Sequence, residues 1–499
     1  MKKAIALLLA LILALASLPA FAEASGSVPL PQAGDTVCGF RVTEIRSFDM
    51  IGATLVLFEH QNTGAKLMYI ANEDTNRAFQ LAFPTRPADN TGIPHVFEHA
   101  TLSGSEKYPS TSLFMNLAYQ TYNTYMNAYT MDAMTGYPMA SLSEDQLLSL
   151  ADYYTASCLE PLIMTDESIY RTEAWRYEMT DPDGELSYNG TVYSEMNGAM
   201  TLERAALDHA NQATFPGASL SYDFGGVPDE IPQMTWEGLK AYHDRYYHPS
   251  NCIAILYGSF RDYTRFLQLL DDAFRPYEKS VLPEENLSYT RITEPGISSF
   301  AYPAESGSNP DGKSAICYYI LCPGLKENPA EERIIDHVCR LLGSSGSALI
   351  QNLKKAIPTG GFSVGREVAG PDDAVLFMVT NANPDDAELF RSTVNRSLQE
   401  TAENGFDPIL LDSVSASLRV SNKLALESGD PINSLLMPIS YYWAVSGNPF
   451  LCVEETEAME NIPAEDADGL LTQAISAWLT DPELSTNAHT SGSRPSLWQ

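Results

Sequence analysis

The sequence predicts an α+β chain built as two α/β halves in series. Strand and helix patterns alternate over residues 37–277, a proline- and charge-bearing segment follows at 275–296, and a second run of strand and helix patterns starts at 315. A chain of 499 residues, 44% hydrophobic and 19% charged, has the composition of a globular protein and the length for two or more domains.

In chain order, Lys2 and Lys3, an apolar run from Ala4 to Leu18 and then Ala20-Phe-Ala read as a signal peptide, residues 1–22, cleaved after Ala22. An exported protein, secreted or periplasmic, is therefore expected. Residues 23–280 form the first half, with strands at 78–83 and 252–258 and helices at 145–158, 192–208 and 235–247. Residues 281–296 are the linker. The second half, 297–484, carries strands at 315–321 and 374–379 and helices at 330–342, 385–404 and 466–480. Residues 485–499 begin Ser485-Thr-Asn-Ala-His-Thr-Ser-Gly, a polar string expected to be an irregular tail.

The chemistry concentrates in Thr91-Gly-Ile-Pro-His-Val-Phe-Glu-His. On a helix His95 and His99 share a face, with Glu98 beside them. Asp89, Asn90 and Thr91 are expected to cap that helix, Pro94 suits its first turn, and Gly104 offers a stop. Two imidazoles suit a zinc ion and a free carboxylate suits the base for an attacking water, which is the inverted His-x-x-Glu-His arrangement. A catalytic zinc keeps three protein ligands, so a third must come from elsewhere. Glu195 is chosen, on the argument that Ala199 and Leu202 continue its face as a core stripe where an acid needs a metal or a partner. Glu173 and Glu178 compete. Residues 123–130 alternate with period two and read as a strand, either a peptide-binding edge or a half-buried core strand.

These motifs resemble the inverted zinc metallopeptidases of the pitrilysin and insulin-degrading enzyme group, most nearly the presequence protease branch. The resemblance rests on Gly92-Ile-Pro-His-Val-Phe-Glu-His, Ser103-Gly-Ser-Glu-Lys-Tyr-Pro, Met126-Asn-Ala-Tyr-Thr, Trp175-Arg-Tyr-Glu, Val192-Tyr-Ser-Glu-Met-Asn-Gly and Tyr247-His-Pro-Ser-Asn, in the family's order and with its long gap before Glu195. It implies His95, His99 and Glu195 as ligands of one Zn2+ per chain, Glu98 as general base, and an edge strand that takes a peptide by strand addition, with Asn127 and Ala128 nearest the scissile bond. It also implies two similar α/β sandwich domains forming half of a clamshell, only the first with metal. In presequence proteases a further pair of domains closes over the first and supplies an arginine and a tyrosine to the substrate carbonyl. This chain stops at Gln499, so a zinc endopeptidase of small or unfolded peptides is expected to work with a second half or as a homo-oligomer, or else to be a truncated product. The rival expectation is a catalytically silent peptide-binding or assembly subunit.

A formal net charge of −34 excludes nucleic acid as a natural partner. It would attract cationic peptides where it lines a cleft, and elsewhere it solubilises the surface. Gly307-Ser-Asn-Pro-Asp-Gly-Lys-Ser fits a phosphate-loop pattern, but a strand follows it where a helix is required, so no nucleotide is expected. Seven cysteines include no close pair of zinc-ribbon type, and their odd number leaves at least one unpaired within the chain.

Overall fold

The computed structural model describes residues 27–281, 289–293, 296–303, 309, 311–427, 429–460, 469–480 and 485–494. The expected signal peptide lies outside these, as do most of the linker and Gly307–Ser308 of the phosphate-loop pattern.

Two sheets organise the α+β fold. The first runs, edge to edge, Thr36–Val37, Phe40–Phe48, Ala53–His60, Lys66–Ala71, Ile253–Tyr257, Arg77–Pro84, Met134–Ser141 and Asn123–Met126, with Tyr129–Thr130 also pairing Met134–Ser141. Its pairs are antiparallel except Lys66–Ala71 with Ile253–Tyr257. Every residue of Met134–Ser141 and of Ile253–Tyr257 is buried. The reason is that both faces are covered, which favours uninterrupted apolar strands over alternation. Phe58, Phe79 and Leu256 pack one face against the helices Ile93–Thr101, Glu144–Leu159 and Thr264–Phe274. Leu55, Ile70 and Ile255 pack the other against Ile432, Leu436, Ile439 and Phe450, contributed from far down the chain.

The second sheet runs Gly296–Pro303, Ser485–Arg494, Ser314–Cys322, Asp373–Ala382 and Gly361–Glu367. Here Ala315, Cys317 and Tyr319 pack against Ala206 and Ala210 of the helix Leu202–Thr214, so each half covers a face of the other's sheet. The order strand, helix, helix, strand, strand, helix runs from Ser314–Cys322 to Ala387–Asn404 in the second half, and recurs from Arg77–Pro84 to Glu144–Leu159 in the first, where the short strands Asn123–Met126 and Tyr129–Thr130 together take the place of one.

Three expectations need correction. Residues 485–494, read as irregular, form a central strand, parallel to Gly296–Pro303 and antiparallel to Ser314–Cys322. Main-chain pairing on both sides fixes an extended backbone there without an apolar pattern. The single helix expected at 192–208 is two, Thr191–Ala199 and Leu202–Thr214, because Met200 and Thr201 turn extended and the Thr201 side chain caps the second. Asp89, Asn90 and Thr91 do not cap the motif helix: its N-cap is Gly92 at φ 70°, with no side-chain capping bond. Asp89 accepts from Thr91 and Asn90 accepts from Asp223 instead.

Among the described residues no helix is long and apolar enough to cross a membrane. All seven cysteines are free thiols, five of them buried.

Candidate metal centre

The helix Ile93–Thr101 buries Val96, Phe97 and Ala100 and turns His95 and His99 to the opposite side, where their rings meet edge to face with centroids 4.9 Å apart. Glu195, on Thr191–Ala199, reaches them from across the site. Its carboxylate lies 3.9 Å from His95 Nε2 and 3.6 Å from His99 Nε2, and ligand atoms of the three residues all fall within 4.8 Å of one another. Among the described residues this is the one group of three or more so placed. Ligands about 2.0–2.1 Å from a tetrahedral zinc stand about 3.3 Å apart, so the two carboxylate contacts are within tenths of an ångström of that spacing.

The outer nitrogens are also engaged. His95 Nδ1 donates to the Gly225 carbonyl at 3.3 Å, and His99 Nδ1 lies 3.4 Å from Glu173 Oε2. Each partner favours a proton on Nδ1 and leaves Nε2 free toward Glu195, the arrangement metal-binding imidazoles use. The residues present therefore fit a zinc ion. Burial and the charge of His99 lower the pKa of His95. Burial alone would lower that of His99, but Glu173, Glu98 and Glu195 outweigh it and raise it.

Glu98 lies beside this triangle, near enough for the charges of His99 and Glu195 to act on it. Its residue is 8% exposed and its Oε2 accepts from Thr130 Oγ1 at 2.8 Å. Burial raises its pKa above the ordinary carboxylate value, against the pull of His99 and Thr130. A basic carboxylate beside a triangle of nitrogen and oxygen donors can exchange a proton with a molecule held there.

Glu195 arrives at the site for a different reason from the one the sequence suggested. Its helix ends at Ala199, so Leu202 does not extend its face, and its side chain is 52% exposed rather than turned to the core. Of the competing acids, Glu173 stands behind His99, while Glu178 sits on the hairpin Arg176–Glu178/Ser187–Asn189 bonded to Asn189. Asn127 and Ala128 lie between the short strands Asn123–Met126 and Tyr129–Thr130, where one strand was expected. The Asn127 main chain is committed inward, its N–H to Pro138 O and its C=O accepting from Tyr154 Oη. Sequence reasoning missed Thr130, although it lay in a quoted motif, and missed the Gly225 carbonyl, which carries no side-chain signal.

The recurring order of elements puts the helix Pro329–Gly343 in the second half where Ile93–Thr101 stands in the first. It carries Glu332 and Asp336, again four apart, but they hold the buried guanidinium of Arg366 at 2.9 and 2.7 Å, with Asp373 also 2.9 Å away. A fixed side-chain cation neutralises this acidic pair.

The sequence profile described as the Peptidase M16 inactive domain matches residues 233–418. The chain is 32% identical to Protein HypA of Clostridium perfringens over 85% of its length and 44% of that protein. It is 29% identical to presequence protease 1, chloroplastic/mitochondrial, of Arabidopsis thaliana over 87% of its length and 41% of that protein. The chain thus spans less than half the length of these relatives. The fold is shared with a protease from Helicobacter pylori, at a TM-score of 0.65 and 14% identity, covering 87% of this chain and 98% of that one. The chain belongs to the M16 peptidases, the group that holds pitrilysin and the presequence proteases.

Proposed function

We propose that this chain is a zinc-dependent endopeptidase of small or unfolded peptides. The observation that carries the proposal is the convergence of His95 Nε2, His99 Nε2 and the Glu195 carboxylate, with the buried Glu98 alongside. One zinc ion, held by His95, His99 and Glu195, would supply a Lewis acid for the peptide carbonyl and lower the pKa of a bound water to about 7. Glu98 takes the proton of the attacking water and returns it to the leaving amine, while Thr130 holds the carboxylate in place. Glu173 and the Gly225 carbonyl orient the two imidazoles.

A peptide adds as a strand to the open sheet edge at Asn123–Met126, with Asn127 and Ala128 beside the bond to be cut. Since Asn127 bonds inward through both main-chain groups and Ala128 is buried in the core, Asn127 contributes its exposed side chain. Cationic peptides are favoured by the acidic composition. A second half, in trans or from a second copy, closes over the site, in keeping with relatives of which this chain spans less than half. We further propose that the chain is exported, on the strength of residues 1–22.

The match of residues 233–418 to a domain described as inactive favours a second reading, a peptide-binding subunit without turnover. Hydrolysis of a quenched fluorescent peptide library, with and without a candidate partner half, separates the two. Metal-dependent turnover supports the peptidase, and peptide binding without turnover under every pairing supports the subunit.

A further inference from the structure

We propose that Asp223 is a positioning residue of the metal centre, acting on His95 through the Gly225 carbonyl, and that Arg204 and the second half hold it there. The proposal rests on the zinc-binding reading above and adds to it what fixes the geometry of one ligand.

An imidazole that binds metal through Nε2 is only as well oriented as the acceptor on its Nδ1. For His95 that acceptor is a backbone carbonyl in the loop Asp223-Phe-Gly-Gly, 3.3 Å away. Two glycines in succession leave a loop free unless something closes it. Asp223 closes this one: its Oδ1 accepts from Gly225 N at 2.8 Å and Gly226 N at 3.2 Å. Its N–H donates to Asn90 Oδ1 at 3.0 Å, and Val227 N donates to Asn90 O at 2.8 Å, so the loop is stitched to the segment that leads into the motif helix. Loop and helix touch backbone to backbone. A Cβ on Gly92 would fall 2.5 Å from Gly225 O and one on Gly226 2.9 Å from Gly92 Cα.

A carboxylate at 1% exposure needs a counter-charge, and Arg204 provides it as a fork, Nη2 to Oδ1 at 2.6 Å and Nε to Oδ2 at 3.1 Å. Arg204 opens the helix Leu202–Thr214, whose other side lies on the second sheet. There Tyr319 Oη donates to Asn211 Oδ1 at 2.6 Å, and Ala206 and Ala210 are buried against Ala315 and Cys317. Tyr302 Oη donates to Met200 O at 2.7 Å, at the break between the helix that carries Glu195 and the helix that carries Arg204. The metal-free half thereby braces two routes to the site, one ending at Glu195 and the other at His95.

The test compares wild type, Asp223→Asn, Asp223→Ala and Tyr302→Phe by zinc affinity in competition with a chromophoric chelator. The ligand-field spectrum of the Co2+ forms and the thermal unfolding midpoint are measured alongside. Asparagine keeps an acceptor for the two glycine N–H groups but weakens the fork, and alanine removes both. The expected result is a graded loss of zinc affinity, about 10–100-fold for Asp223→Ala, less for Asp223→Asn and about threefold for Tyr302→Phe, with an altered Co2+ spectrum in folded protein. Should Asp223→Ala fail to fold, Asp223→Asn and Tyr302→Phe decide. Wild-type affinity and spectrum in Asp223→Asn and in folded Asp223→Ala overturn the positioning role, and wild-type affinity in Tyr302→Phe overturns the brace. A wild-type protein that takes up neither metal overturns the zinc reading itself, and this inference with it.

Discussion

Thr130 Oγ1 donates to Glu98 Oε2 at 2.8 Å, tying the short strand Tyr129–Thr130 to the helix that carries the histidines. A hydrogen bond to a charged group contributes about 1.5–3 kcal/mol, and about 1.4 kcal/mol is tenfold in rate. Thr130→Val is therefore expected to lower kcat at least about tenfold while zinc stays at one per chain, with Thr130→Ser near wild type. Steady-state kinetics with metal analysis on the same samples checks this.

Glu195 and Glu173 both face His99, at 3.6 and 3.4 Å, yet from opposite ring nitrogens. In the proposed centre the first is a ligand and the second an orienting acceptor. Glu195→Ala should fail to retain stoichiometric zinc through dialysis. Glu173→Gln should retain it with affinity reduced about tenfold. Equal losses in the two variants would contradict the assignment.

Glu455 is 5% exposed, and burial with the nearby Asp336 charge raises its pKa from the ordinary 4.5 to about 7, against the pull of Arg366. Its folded pKa lies above its unfolded one. The stabilising contribution is thus complete below pH 4.5 and is lost as pH rises through 7. Glu455→Gln should match wild type near pH 5 and be more stable by about 2 kcal/mol near pH 8. Urea unfolding midpoints at the two pH values test the sign.

Arg366, its side chain 3% exposed, is held by Glu332, Asp336 and Asp373. Removing one partner of a buried ion pair costs about 3–5 kcal/mol, since the others are left uncompensated. Arg366→Met should destabilise the protein by about that amount in denaturant unfolding, although methionine fills similar volume.

The part of the site that sequence made legible is the part that is local. His95, Glu98 and His99 are fixed by helical spacing alone, and the helix forms as expected apart from its cap. Glu195 was named on a core-stripe argument as well as by resemblance, and the core-stripe argument fails because the helix breaks at Met200. The first half's strands at 77–84 and 253–257 were visible because burial on both faces makes the second apolar throughout and the first apolar apart from Arg77 and Gln80. The strand Ser485–Arg494 was hidden for the converse reason: its pairing partners begin at Gly296 and Ser314, and nothing in its own polar string announces them. Gly225 and Thr130 were likewise invisible, since each acts through a contact with a residue remote in sequence.

The most direct test of the central claim is zinc content together with hydrolysis of a quenched fluorescent peptide library by wild type and Glu98→Gln, with a partner half supplied where one is found. One zinc per chain in both proteins and turnover in the wild type alone is the expected result. Equal turnover in the two proteins, or absence of zinc from the wild type, would contradict it.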